Sequence, residues 1–463
     1  MAKKLILFLQ ILFLGILISC NSDHKETLTY FGGKIINPKS NHVVLYAMDK
    51  VIDTFLLNSD NKFIGEIKNV NEGLYYFTHG NENQHGYLEP EDSLMLRLNT
   101  WDFDESLVFA GKGAERNNIL IDCFLENEKE RKYFYQFNKA EPKIFKNKVD
   151  SLLAFKLNTY KEYTINHPEE TAGYNEVLKI TLTYPTFARV EEYPMIYAKY
   201  SENGSFPDID ASFYDYRNEI QMNKSSLMYY PLYSQYIRNY LYNETYSLGH
   251  APMKSEYSSK FTLDLLHTID KKITSISSKN AFLKQTVISH FYNKSSCTVD
   301  YEAFNTFFKL STNEQDKKLV QNLVCDAKSV IISESLPNFK ITDYTNAQHS
   351  ILEIIKNKSA LLFFWSPEFI SESYMASRFN YLSNTYPNIK FIEIKIDGDK
   401  NNRIQNLDIK NQFYLDEKSE AHHFLTSKMP RSILIDKKGH VVNGFASISS
   451  YNLNPFLSEL NKD

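Results

Sequence analysis

The hydrophobic rhythm of the chain changes three times. Behind Lys3 and Lys4, Leu5 to Ile18 is apolar except at Gln10 and Gly15. From residue 27 to about 111, short apolar or alternating runs occupy 28–31, 42–46, 51–55, 62–67, 74–77 and 93–98. Turn-forming clusters such as Asn58-Ser59-Asp60-Asn61 and Glu89-Pro90-Glu91-Asp92 separate them. Short strands at this spacing predict an antiparallel β sandwich or barrel over 27–113. Helical spacing then dominates from 114 to 330. Pro185 and Pro194 each predict a helix break there, since proline lacks the N–H that the helix ladder needs. Glu126 to Lys132 is a charge run, read as a solvated helix face. Tyr229, Tyr230, Tyr233, Tyr236 and Tyr240 fall partly on one helical stripe with Leu232 and Ile237. That stripe suits either an aromatic groove for a peptide or glycan, or a helix–helix interface, which is the simpler reading.

Over 331–463 the rhythm changes again. Ala360 to Trp365 is a fully apolar run, expected as a buried strand. Ser366 suits an N-cap, Pro367 the first helical position, and Glu368 and Glu372 the positive end of the helix that follows. That helix carries Met375, Phe379, Leu382 and Tyr386 at helical spacing. A second strand over 389–397 alternates Ile392, Ile394 and Ile396 with Glu393 and Lys395. Strand, helix and strand predict a parallel βαβ unit with a right-handed crossover. A hairpin turn at Lys437-Lys438-Gly439 and a helix over 451–460 would end the chain.

The run Leu361-Leu362-Phe363-Phe364-Trp365-Ser366-Pro367-Glu368-Phe369-Ile370-Ser371-Glu372 resembles the entry to a thioredoxin active site of the TlpA/ResA branch. Phe364 and Trp365 match the pattern, while Phe369 and Glu372 stand where its two cysteines would be. Leu336-Pro337-Asn338-Phe339 resembles the opening of such a domain, and Met429-Pro430 its cis-proline. The looser series Gly33-Lys34-Ile35, Asp60-Asn61-Lys62-Phe63 and Gly111-Lys112-Gly113 resembles the β domain that precedes it in TlpA-like lipoproteins of Bacteroidetes. The resemblance implies a multi-domain α+β and α/β protein: a β sandwich or barrel, a helical middle, and a thioredoxin-like domain with a cis bond at Pro430. It also implies an extended ligand beside that proline, in a groove lined by Trp365, Phe369, Met429 and Pro430, with Glu372 alongside. Disulfide exchange needs a thiolate, and neither a phenyl ring nor a carboxylate can supply one. Ser366 and Ser371 are poor nucleophiles without a positioned base. A redox-inactive domain that binds a peptide or protein is therefore the leading expectation. Two alternatives stay open: an oxidoreductase using a displaced Cys123, Cys297 or Cys325 beside Pro430, and a glycan-binding component of an outer-membrane uptake system.

A chain of 463 residues is too long for a single core. Its net charge of −4 gives no basic stripe for nucleic acid. Heavy use of Tyr and Phe, 32 each against 15 Gly, is similar to Bacteroidetes lipoproteins. Leu17-Ile18-Ser19-Cys20 resembles a lipobox. Residues 1–19 then read as a signal peptide, Cys20 as the lipidated residue, and 20–26 as a polar leash. The expected partner is the membrane through that lipid, placing the protein in the cell envelope, at the outer membrane rather than the inner. Of the other cysteines, Cys123 and Cys325 follow apolar helical patterns and read as buried thiols, with a Cys297–Cys325 bridge as the alternative. His422 and His423 are adjacent on an expected helix and face apart, and His79 and His85 fall in an expected loop. No metal or cofactor motif is present.

Overall fold

The computed structural model describes residues 27–48, 50–252, 258–294, 299, 301–398, 400, 403–404, 407–450 and 452–462. The apolar leader, Cys20 and Cys297 lie outside the described residues. The chain forms two compact units. One runs through Arg131 and includes Lys161–Thr181; the other comprises Lys132–Tyr160 and Leu182–Asp463.

In the first unit, strands β1 (Leu28–Ile36), β2 (His42–Ala47), β3 (Lys50–Leu56), β4 (Lys62–Lys68), β5 (Gly73–His79), β6 (Glu82–Leu88), β7 (Ser93–Asn99) and β8 (Val108–Ala110) build two four-stranded sheets. Their orders are β4-β1-β7-β8 and β3-β2-β5-β6. Alternation sends Phe31, Phe55, Phe63 and Phe77 to a shared core, where the Phe31 ring lies 5.6–5.9 Å from the other three. The sandwich is not wholly antiparallel: β1 and β7 run parallel. Strand β6 had no signature in the sequence, because Glu82, Asn83, Gln84 and His85 show no apolar alternation; its ladder to β5 holds it instead. His79 and His85 are accordingly strand residues rather than loop residues. His79 is buried; its Nε2 accepts from the Lys39 N–H at 3.0 Å and its Nδ1 lies 3.0 Å from the His42 carbonyl. Burial holds its pKa below the ordinary value, as suits a neutral structural imidazole.

Helices α1 (Ala114–Phe134), α2 (Pro142–Asn166) and α3 (Ala172–Tyr200) each contribute to both units. Helix α3 runs unbroken through Pro185 and Pro194, against the expectation of two breaks. A mid-helix proline costs about 3 kcal/mol. Burial of Leu182, Tyr184, Phe187, Val190, Tyr193 and Ala198 along the helix offsets that cost. The second unit continues with α4 (Pro231–Tyr246), α5 (Ser259–Lys272), α6 (Ile276–Lys294), α7 (Tyr301–Leu310) and α8 (Glu314–Lys328). The tyrosine stripe is core: Tyr233 and Tyr236 are fully buried, and only Tyr229 at its start is well exposed. Glu191, itself fully buried, accepts from the Tyr216 hydroxyl at 2.7 Å, Asn243 at 2.7 Å and the Arg217 Nε at 2.8 Å. Arg217 in turn bridges to Glu244 at 2.8 Å. The Tyr216 hydroxyl thus completes a buried ion pair between Glu191 and Arg217.

The same unit carries a seven-stranded sheet of order β10-β9-β13-β12-β11-β14-β15. Its strands are β9 (Lys340–Asp343), β10 (Gln348–Ser350), β11 (Ala360–Trp365), β12 (Lys390–Lys395), β13 (Gln412–Tyr414), β14 (Arg431–Ile435) and β15 (Val441–Ala446). Short helix α9 (Ile351–Ile355) precedes β11, α10 (Glu372–Thr385) links β11 to β12, and α11 (Leu453–Leu460) follows β15. Strand β11 pairs parallel with β12 and antiparallel with β14, which pairs antiparallel with β15. This βαβ unit followed by a hairpin and a helix is the arrangement the thioredoxin resemblance implies. All six β11 side chains are buried, because the two sheet faces face separate cores. Leu362 and Phe364 enter one; Leu361, Phe363 and Trp365 enter the other.

Candidate functional site

Strand β11 delivers the chain to the head of α10. The turn between them delays the helix by five residues from its expected start. Ser366 Oγ accepts from the Glu368 N–H and closes a single turn, whereas Ser371 is the true N-cap, accepting from Tyr374 N–H. Pro367 and Glu368 are therefore outside the helix, and Glu372 alone supplies negative charge to its first turn.

A cleft of about 530 Å³ opens at this turn. Phe363, Phe369, Ile370, Tyr374, Met429 and Pro430 line it, with Tyr292 from α6. Three of the groove residues expected from the sequence, Phe369, Met429 and Pro430, thus meet. Trp365 does not join them: it is fully buried, and its indole N–H donates to Glu393. Glu372 also misses the cleft. Its carboxylate meets the Lys395 ammonium at 3.2 Å.

Beneath the helix head lies a polar cluster the strand pattern concealed. Glu393 and Lys395 alternate with the isoleucines of β12, and both are buried. The Lys395 ammonium sits 5.3 Å above the Trp365 ring, a cation–π arrangement. Glu393 is enclosed completely, and burial pushes its carboxyl up to about 8 despite the Trp365 hydrogen bond and the Lys395 charge, which pull it down. At pH 7 it is mostly the neutral acid.

The loop opposite is held from α8. Asp326 accepts from the Thr426 and Ser427 N–H groups, each at 2.8 Å, and from both hydroxyls at 2.7 and 2.6 Å. Lys428 then turns the chain with φ of 56°. No cis peptide bond occurs among the described residues, so the Met429–Pro430 bond is trans, contrary to the family expectation. The left-handed Lys428 makes the reversal one residue earlier, and the bond keeps the isomer that X–Pro pairs favour. The Pro430 carbonyl accepts the Tyr292 hydroxyl at 2.7 Å, and Phe291 packs edge-on against Phe445 at 4.7 Å. Helix α6 thereby supplies one wall of the cleft. No local signal near residue 292 announced this, since the partner lies 138 positions away in the chain.

No family model matches the chain, and no curated protein matches it. Solved structures do. The thioredoxin domain of a thiol-disulfide oxidoreductase from Bacteroides vulgatus is 20% identical, with 28% of this chain and 99% of that one covered and a TM-score of 0.23. A thiol:disulfide interchange protein from Bacteroides sp. is 15% identical over 29% of this chain and 93% of its own, with a TM-score of 0.25. A thiol peroxidase from Chromobacterium violaceum is 16% identical over 28% and 86%, with a TM-score of 0.24.

Among the described residues, Met429 alone brings sulfur to the cleft lining. Cys325, expected as a buried thiol, is exposed on α8 near Gln321, because its helix turns Val324 and Asp326 inward instead. Cys123 is buried in the first unit. His422 and His423 sit on a short 3-10 turn rather than an α-helix, and His422 contacts the Asp416 carbonyl. Among the described residues no three His, Cys, Asp or Glu side chains converge as metal ligands. The cleft can enclose an apolar side chain and offers hydroxyls at its rim, from Ser371, Ser447 and Ser449.

Proposed function

We propose that the second unit is a redox-silent thioredoxin-like binding domain whose cleft takes an apolar side chain of a peptide or protein. One observation carries this: at the head of α10 stands an apolar cleft walled by Phe369, Ile370 and Met429, with no thiol in its lining among the described residues. Burying one large aliphatic or aromatic residue there is worth about 1.5–3 kcal/mol. The rim hydroxyls suit the backbone of the same ligand.

Lipid attachment at Cys20, residence in the cell envelope and an outer-membrane location belong to this proposal. They rest on the basic, apolar and cysteine pattern of residues 3–20. Among the described residues, no helix is long and apolar enough to cross a membrane.

A peptide array probed with the purified chain tests the cleft. Ligands with an apolar anchor are expected to bind, and Ile370→Asp or Met429→Asp to weaken them at least tenfold by placing a charge in the apolar wall. Retention by both folded variants would remove the cleft from the account. Insulin reduction that depends on Cys297 or Cys325 would restore the oxidoreductase reading.

A further inference from the structure

The β sandwich presents a basic row on its outer face. Strands β4, β1 and β7 lie side by side, and their registers place Lys62 opposite Lys34 and Lys34 opposite Arg97. Adjacent strands are about 4.8 Å apart. Three positive side chains thus stand abreast, all exposed, and like charges at facing positions are destabilising. None has an ion-pair partner among the described residues. The acidic residue on the same face of β4, Glu66, lies two rows away, opposite Tyr30.

The neighbouring row is apolar: Ile64, Gly32 and Met95 face one another across the same strands. A cleft of about 630 Å³ opens beside that row, lined by Ile64, Met95 and Leu56 and rimmed by Lys34 and Lys62. Ile64 is 68% and Leu56 69% exposed. A face with unneutralised cations beside an apolar hollow complements a ligand that is anionic and amphiphilic.

We infer that this open face of the β4-β1-β7 sheet docks on anionic phospholipid. The Lys62–Lys34–Arg97 row takes headgroup phosphates, and the hollow beside Ile64 and Met95 takes the adjoining hydrocarbon. The choice of a lipid source rests on the proposed acylation of Cys20. The chain from Cys20 to Thr27 spans at most about 25 Å when fully extended, so the sandwich is held against the bilayer surface. Juxtamembrane basic residues there add attraction one by one.

The test uses the full chain with Ile64→Cys in a Cys297→Ser/Cys325→Ser background, labelled with a polarity-sensitive dye. Vesicles of phosphatidylcholine containing phosphatidylglycerol are expected to shift the dye, and pure phosphatidylcholine to leave it unchanged. Lys34→Gln/Lys62→Gln/Arg97→Gln should weaken the response on the order of a hundredfold, and Lys34→Gln alone about fivefold. These exposed substitutions should leave the circular dichroism unaltered. The Cys20→Ser chain separates the two ideas. A response that persists at higher lipid concentration supports the face even where the anchor fails. Silence in both chains overturns the face, whatever flotation says of the anchor. A shift produced by glycerol phosphate alone, without vesicles, also overturns the lipid assignment.

Discussion

Strands β4 and β12 are nearly the same peptide. The first reads Lys62-Phe63-Ile64-Gly65-Glu66-Ile67-Lys68; the second reads Lys390-Phe391-Ile392-Glu393-Ile394-Lys395, the same six residues without the glycine. Their fates are opposite. Strand β4 is an edge strand that pairs only with β1, and Lys62, Ile64, Glu66 and Lys68 all face water. Strand β12 lies between β13 and β11, and Glu393 and Lys395 are shut inside with Trp365. The extra Gly65 matters because side chains alternate across a strand: one inserted residue moves Glu66 and Lys68 to the outer face, in line with Ile64. Position in the sheet matters more. A strand with one open face can leave its polar half hydrated, whereas a central strand covered on both sides must bury it and find it partners.

The largest effect is expected at Trp365. Trp365→Ala removes a fully buried indole and leaves Glu393 without its hydrogen-bond donor, so a loss of about 3–5 kcal/mol should appear in urea unfolding. A loss under about 1 kcal/mol would show that the β12 environment is looser than its burial indicates.

Glu393 comes next. Its folded pKa is raised to about 8 from an ordinary 4.5. Between those values the unfolded chain binds fewer protons than the folded one, so stability should fall as pH rises through that window and level off above it, with a slope of up to about 1.4 kcal/mol per pH unit. Glu393→Gln cannot ionise and should flatten this slope. Urea midpoints taken from pH 5 to pH 9 on both chains decide it, and identical slopes would refute the assignment.

Gly65→Ala sharpens the contrast from the other side. A Cβ at Gly65 would come within 2.0 Å of the Phe55 ring on the inner face of β4. Repacking that ring should cost about 1–3 kcal/mol. The smallest effect belongs to the outer face of the same strand, where Ile64→Ala should change stability by no more than about 0.5 kcal/mol. A larger loss would mean that a protein surface already covers Ile64.

The legible parts were those in which local pattern and tertiary role agree. The buried strand ending at Trp365, the helix with Met375, Phe379 and Leu382, and the parallel strand beginning at Lys390 all lie where periodicity put them. Ser371 took the cap expected of Ser366, because Ser366 closes a turn that precedes the helix. Helix α3 carries two prolines that local propensity counts as stops, and its packing overrides them. Of the cleft, Phe369, Met429 and Pro430 could be named from motif positions. Tyr292 could not, since only the fold brings α6 to that loop.

Alternation, apolar runs and turn residues determined by themselves that this chain contains a β-rich region, a helical stretch and a βαβ unit, and that the helix entry has no cysteine pair. Those are properties of neighbouring residues, and chain geometry ties them to sequence within a few positions. Only the tertiary structure decided that Glu393 and Lys395 would be buried while Glu66 and Lys68 stayed in water, that Trp365 would face a carboxyl group rather than a ligand, and that α6 would wall the cleft. Burial depends on what covers a residue from elsewhere in the chain, and six identical residues carry no record of that.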